Sequence, residues 1–258
     1  MKLLSYLLVC TVLTMGSAHA GSNAGVVLAV HGNQGEPWYP PDPCEQIEVP
    51  EDCIDLIPSA IPDPLIDVYW YLILVVSPRG NATNFNMVTF GLGDYTPSET
   101  YIGYFGSCKP GALEAPTAGW PAPGTGTAVA WTPDCSYGQM VPVYYFGIYV
   151  YAAAGEIPLV DHPLNHAAVA DCSEPATLDL IEGFGAMGYG GAPGWNPECP
   201  PWNPEYGACC FGSTCLLLHS SECLEGGGDW FGGSCEPNPC QPTPRKLTTW
   251  GGVKSIYQ

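Results

Sequence analysis

Asp161, His162, His166 and Asp171 fall within one stretch, DHPLNHAAVAD, and their types could hold a metal ion. Histidines four apart meet on one face of a helix, where they can share zinc. Pro163 lies between them and the flanks read as strand and turn, so the helix that would aim them together is not expected. The Glu that a metalloprotease places between its histidines is missing as well. A second candidate is rich in oxygen ligands. CEQIEVPEDCIDLIPSAIPDPLID carries Glu45, Glu48, Glu51, Asp52, Asp55, Asp63 and Asp67. Such loops hold calcium in exported proteins, but the Asp-x-Asp-x-Asp-Gly spacing is absent and prolines interrupt the run. A solvated acidic loop pinned by Cys44 and Cys53 is expected, and calcium is the one cofactor it could take.

Other catalytic patterns are missing. No serine stands in a Gly-x-Ser-x-Gly elbow. GFGAMGYGGAPG is rich in glycine but runs into Pro193 without the Lys and Thr of a phosphate loop, and reads as an irregular segment. Glycoside hydrolysis needs only two carboxylates, and 25 acids single out no pair. No catalytic residue is assigned, and the chain is expected not to be an enzyme. The alternative of another class is an exported hydrolase acting on polysaccharide.

The aromatic pattern is more informative, because side chains alternate faces along a strand. In VYYFGIYVYAA, Tyr144, Phe146, Ile148 and Val150 share one face, and Tyr145, Tyr149 and Tyr151 share the other. In VYWYLILVV, Trp70, Leu72, Leu74 and Val76 stand opposite Tyr69, Tyr71, Ile73 and Val75. One face of each strand must be core. If Tyr69, Tyr71, Tyr145, Tyr149 and Tyr151 look outward on neighbouring strands, they make an amphipathic surface suited to a glycan or a protein partner. The competing expectation covers both faces, one with the opposite sheet and one with the long Pro-rich loops.

The cysteines number thirteen. Cys10 belongs to an N-terminal segment, MKLLSYLLVCTVLTMGSAHA, that reads as a secretory signal. Its apolar run is too short to span a membrane, and Ala18-His19-Ala20 puts small residues where a signal peptidase reads. Without Cys10 twelve cysteines remain, an even number that argues for disulfides in an exported chain. Cys44, Cys53, Cys108, Cys135, Cys172 and Cys199 belong to a front unit; Cys209, Cys210, Cys215, Cys223, Cys235 and Cys240 belong to a second. Their spacing lacks the Cys-x2-Cys pairs of a zinc site. Cys209 and Cys210 should take different partners, since adjacent Cα atoms ~3.8 Å apart are too close for a relaxed disulfide. The remaining pairing is open.

The charge is lopsided. Between residues 21 and 244 only Arg79 and Lys109 are basic, against all 25 acids. That field repels phosphate backbones and excludes nucleic acid as a partner. No segment is apolar for long enough to be a transmembrane helix. With 32 glycines and 28 prolines the composition favours strands and tight turns. GVVLAV, LIDVYWYLILVVS, NFNMVTFGL, GTAVAWT and MVPVYYFGIYVYAA are expected strands, followed by shorter pieces at 157–160 and 167–170. TLDLIE, residues 177–182, is expected as one short helix. Asn81-Ala82-Thr83 forms a glycosylation sequon.

The parts are a signal peptide (1–20), a β-sandwich domain (21–191), a Pro-rich linker or wrapped segment (192–206), a disulfide-rich module (207–240) and a linker with a basic tail (241–258). The module is too short to bury a self-sufficient core, so it needs its cross-links. The tail holds Arg245, Lys246 and Lys254 and no acid. Leu247, Trp250, Val253 and Ile256 recur every three residues beside Tyr257, but Gly251 and Gly252 each cost a helix about 1 kcal/mol. The tail is expected to be flexible alone and to order on a receptor.

GACCFGSTC…SSECLEGGG…GGSCEPNPC resembles a small cysteine module of uncharacterised secreted proteins from environmental bacteria. The matching positions are Gly207, Ala208, Cys209, Cys210, Cys215, Cys223, the glycines at 226–228, Cys235 and Pro237-Asn238-Pro239-Cys240. In those proteins the module often precedes a terminal peptide of the form Thr-x-Trp-Gly-x-x-Lys-x-x-Tyr, which Thr248, Trp250, Gly251, Lys254 and Tyr257 fit. GWPAPGTGTAVAWT, residues 119–132, is similar to a stretch of their front domain. This chain ends in Gln258, where related tails more often end in Arg. The resemblance implies export, a β-sandwich front domain and a shared C-terminal signal, and it carries no catalytic residues.

The expected fold is therefore all-β: an immunoglobulin- or cohesin-like β-sandwich, a small disulfide-rich module and a flexible tail. The expected protein is secreted or held at the cell surface. It is a non-catalytic binding or structural protein, with a lectin-like role as one form of that reading. Its tail, through Trp250, Gly251, Lys254 and Tyr257, is a docking or sorting peptide for an export or surface-attachment receptor.

Overall fold

A computed structural model describes residues 21–34, 42–63, 65–78, 83–151, 154–200, 206–232, 235 and 240. The expected leader, Asn81 and Ala82 of the sequon, the end of the expected linker and the basic tail lie outside the described residues.

β1 (Val27–Gly32) leads to a one-turn helix, α1 (Pro43–Gln46), and then to the long β2 (Val68–Val76). β3 (Asn84–Phe85), β4 (Met87–Leu92), β5 (Thr100–Ser107), β6 (Leu113–Pro116) and β7 (Gly126–Ala130) follow. β8 (Ser136–Tyr137) precedes β9 (Met140–Val150). After it come β10 (Gly155–Val160), β11 (Ala168–Ala170), β12 (Leu178–Leu180), β13 (Gly183–Phe184) and β14 (Ala186–Tyr189). The second unit adds β15 (Tyr206–Phe211), β16 (Thr214–His219), α2 (Ser220–Glu225) and β17 (Asp229–Gly232).

The front unit is a β-sandwich. One sheet runs β13-β1-β2-β9-β5; the other runs β12-β11-β4-β10-β14, with β7 on the free side of β4 and β6 beyond it. Period-two alternation builds the layer between them. Leu28 and Val30 of β1, Tyr71, Ile73 and Val75 of β2, and Phe146 and Ile148 of β9 meet Val88, Phe90 and Leu92 of β4, Ile157 and Leu159 of β10 and Val169 of β11.

β2 has few polar positions, and both its faces are buried. Its outer residues, Trp70, Leu72, Leu74 and Val76, pack with Ile47 and Leu56 from the acidic segment. That segment is a lid on the first sheet. It presents Ile47 and Leu56 inward and leaves Glu45, Glu48, Glu51 and Asp55 exposed. Asp42 starts α1 by accepting from the Cys44 N–H at 2.9 Å, with Pro43 at the first helical position. The Cys44–Cys108 and Cys53–Cys199 disulfides fasten the lid, and Cys135–Cys172 closes a third loop.

Two expectations change here, and for the described part of the Pro-rich segment the wrapped alternative holds. TLDLIE is not a helix: its centre is β12, which pairs antiparallel with β11, and Leu-Asp-Leu alternates faces with period two. The Gly-rich segment is not irregular: it forms β13, parallel to β1, and β14, antiparallel to β10. Residues 192–200 wrap the sandwich rather than lead away from it. Trp195 exchanges backbone hydrogen bonds with Ala186. Asn196 acts as a mock strand residue, accepting from the Val30 N–H at 2.7 Å and donating to the Val30 carbonyl at 2.9 Å.

In the second unit the sheet order is β16-β15-β17. Its cysteines pair among themselves, Cys209–Cys223, Cys210–Cys240 and Cys215–Cys235, so the two adjacent thiols go to different partners. Six disulfides in one chain suit an oxidising compartment. No helix among the described residues is long and apolar enough to cross a membrane.

Candidate functional site: an aromatic row on the first sheet

Where the lid ends, the outer face of β9 and β5 carries tyrosines. Two bulges set their positions. On β9 the register shifts against β2 at Val143, so that Val143 and Tyr144 both reach the core. On β5 it shifts at Gly103, which turns Ile102 inward and Tyr104 outward. The result is a row of rings. Trp70 lies 5.2 Å from Tyr104 and 6.4 Å from Tyr145; Tyr149 lies 6.0 Å from Tyr104 and 6.3 Å from Tyr101, centroid to centroid. The Tyr104 and Tyr149 hydroxyls are 3.2 Å apart and share a hydrogen bond.

Glycines form the floor under the row. A Cβ on Gly147 would fall 2.7 Å from Trp70 Cζ3, and one on Gly103 would fall 2.6 Å from Tyr149 Cε2. The row opens toward solvent at one end, where Tyr101 is 57% and Tyr151 69% exposed. Tyr104, Tyr145 and Tyr149 are half-buried. Burial raises the Tyr145 hydroxyl above its ordinary pKa, and the charges of Asp42 and Glu114 add to it.

The five tyrosines named from the sequence divide. Tyr145, Tyr149 and Tyr151 belong to the outer face. Tyr71 does not: it is 0% exposed and donates its hydroxyl to the Gly188 carbonyl at 2.6 Å. Tyr69 packs against the inter-sheet core. Tyr101, Tyr104 and Trp70 complete the row in their place. The signal for Trp70 was its place opposite Tyr71. Tyr101 and Tyr104 had none, because the extra residue at Gly103 breaks the alternation of β5.

Sequence reasoning also missed a buried polar chain. Trp120 Nε1 donates to the Tyr144 hydroxyl at 3.0 Å, which donates to Glu114 Oε1 at 2.7 Å; Thr127 Oγ1 donates to the same oxygen at 2.8 Å. Burial, then the Glu114 hydrogen bond, drive the Tyr144 pKa far upward. With Tyr144 0% exposed, the chain ties β6 and β7 to β9.

The histidine stretch does not converge. Asp161 Oδ2 meets His166 Nδ1 at 3.1 Å in an exposed pair. His162 Nδ1 turns away to accept from the Leu164 and Asn165 N–H groups at 3.3 and 3.1 Å. Asp171 serves another turn, accepting from the Ser173 N–H and hydroxyl and from the Thr177 N–H. Burial pushes both carboxyls up, but hydrogen bonds outweigh it and hold them below the ordinary value, from the Ala167 N–H and His166 to Asp161 and from Ser173 and Thr177 to Asp171. No cluster of three or more such ligands is present among the described residues. The candidate metal set is thus split between two loops, each busy with backbone. The acids of the lid do similar work: Asp42 and Asp52 cap turns and Asp63 accepts from the Leu65 N–H at 2.8 Å.

A cleft of about 500 Å³ borders the lid, lined by His31, Asn33, Gln34, Gln46, Ile47, Glu48, Pro50 and Ile57. His31 is a fastener there: its Nδ1 accepts from the Ile57 N–H at 3.1 Å. Burial lowers its pKa, against an opposing hydrogen bond to the Glu48 backbone.

No protein-family model matches the chain, and no curated protein matches it. Among solved structures it is similar to one described as a cohesin module from Clostridium perfringens ATCC13124 family 33 glycoside hydrolase. The two are 8% identical, over 47% of this chain and 82% of that one, with a TM-score of 0.37. So loose a likeness carries no argument.

Proposed function

We propose that the protein is an exported or surface-held binding module without catalytic activity, and that its ligand is a neutral polysaccharide laid along the aromatic row. The supporting observation is the row itself: Tyr104, Tyr149 and Tyr101 in sequence, backed by the buried Trp70 and by glycines, and open at Tyr101 and Tyr151. Aromatic faces take the apolar faces of sugar rings, and phenol hydroxyls take their polar edges. Charge narrows the choice. A chain with a formal net charge of −19 repels anionic glycans as it repels nucleic acid. The lid keeps the rest of that sheet face closed, so the ligand is confined to β9 and β5.

The basic tail belongs to the same proposal as a docking or sorting peptide, with Trp250 and Tyr257 as anchors and Gly251 and Lys254 beside them. The test uses the secreted chain on a panel of neutral, anionic and cationic glycans, with chromogenic glycosides run in parallel. Retention on neutral glycans without turnover is expected. Turnover that survives purification would replace this reading with the polysaccharide hydrolase. Deleting residues 245–258 is expected to change where the protein resides while leaving its melting temperature unchanged; an unchanged location refutes the sorting role.

A further inference from the structure

β12 inverts the usual pattern of an edge strand. Leu178 and Leu180 are 61% and 57% exposed, while Asp179 between them is 6% exposed. Both oxygens of this buried carboxylate are engaged at the start of the described chain. Oδ1 accepts from the Gly21 nitrogen at 2.8 Å and Oδ2 from the Asn23 N–H at 2.9 Å. Asn23 is fully buried and is itself held by donating Nδ2 to the Asn84 carbonyl at 3.0 Å.

An ionised carboxylate taken out of water needs a positive partner. Among the described residues the side chains supply none: Lys109 is the sole Lys or Arg there, and its ammonium sits over the Trp131 ring at 5.7 Å. The backbone can supply one. Hydrolysis of the Ala20–Gly21 bond by an export-linked endopeptidase adds water across the amide. Ala20 leaves as a carboxylate, and the Gly21 nitrogen becomes an α-ammonium at the place where it already donates to Asp179. With an ordinary α-amino pKa of about 7.7–8.0, that group is charged at neutral pH. The residue at the cut is constrained too. A Cβ on Gly21 would fall 2.2 Å from Asp179 Oδ2 and 2.6 Å from Oδ1, so glycine alone lets the nitrogen come this close.

We propose that the chain is processed between Ala20 and Gly21 and that the released α-ammonium is the counter-ion of Asp179. Removal of the leader then completes the sandwich as well as freeing it, by anchoring the segment before β1 to β12 on the other sheet. This inference is independent of the ligand.

The test expresses residues 21–258 behind a short carrier whose specific protease leaves Gly21 first, and compares the oxidatively folded protein before and after cleavage. Cleavage is expected to raise the melting temperature by about 3 °C or more, the size of one partly buried ion pair in a domain of this length. Asp179→Asn is expected to abolish the increment. No rise in the wild type, or a rise that persists in Asp179→Asn, overturns the proposal. Should the variant not fold, labelling of the wild-type α-amine decides. An amine-reactive reagent is expected to modify it about tenfold more slowly in the native protein than after reduction and unfolding; equal rates overturn the proposal. N-terminal sequencing of the secreted chain is expected to begin at Gly21, and any other start overturns it.

Discussion

His31 shows how a residue that looks like chemistry can serve architecture. Its ring accepts from the lid at Ile57 and is held neutral by burial. Because its folded pKa lies below the ordinary 6.5, the unfolded chain takes up the proton first. The stability it contributes is therefore complete above about pH 6.5 and declines as the pH falls below that value. His162 is lowered in the same direction by burial, against the opposing charge of Asp161. Asp161 and Asp171, held below 3.8, lose their contribution only in stronger acid. The melting temperature is expected to drop between pH 7 and pH 5, and His31→Asn is expected to flatten that slope; an unaltered slope means that the lid is not held through this ring. Cysteine partnership was partly legible at this scale. Even counts in each unit and the adjacency of Cys209 and Cys210 constrained it, but a bridge such as Cys53–Cys199, 146 residues apart, depends on where the whole chain goes.

At the scale of elements, legibility followed periodicity. β2, β4 and β9 were readable because long alternating runs of β-branched and aromatic residues have few other uses. β5 was not, since its bulge at Gly103 puts Ile102 and Tyr104 on opposite faces although they are two apart. β12 is too short for its Leu-Asp-Leu to outweigh a helical reading. β14 was hidden by glycine, and the reason is steric: a Cβ on Gly188 would fall 2.2 Å from the Gly194 nitrogen of the wrapped segment. The same logic supports the aromatic row, where Trp70 lies on Gly147. Gly147→Ala is expected to destabilise the fold by about 1–3 kcal/mol, as overpacking does, read from the midpoint of urea unfolding. An unchanged midpoint means that Trp70 has room to move and that the row is not braced from below.

The whole molecule separates its charge from its contacts. The lid carries Glu45, Glu48, Glu51 and Asp55 on its exposed side, where they favour solubility of an apolar-rich chain, and three disulfides hold the sandwich together. The covered and uncovered parts of one sheet face then differ in kind: aliphatic residues and the buried Trp70 under the lid, tyrosines beyond it. Binding is assigned to the uncovered part, and that assignment is the central claim. Its most direct measurement is retention of the secreted chain on the neutral polysaccharide it prefers, compared with Tyr101→Ala/Tyr149→Ala and with Tyr137→Ala, which changes an exposed tyrosine outside the row. The double variant is expected to lose about tenfold or more in affinity, since each stacked ring contributes on the order of 1 kcal/mol, while Tyr137→Ala binds as the wild type does. Equal binding by all three proteins, or no retention on any neutral glycan, would contradict the account.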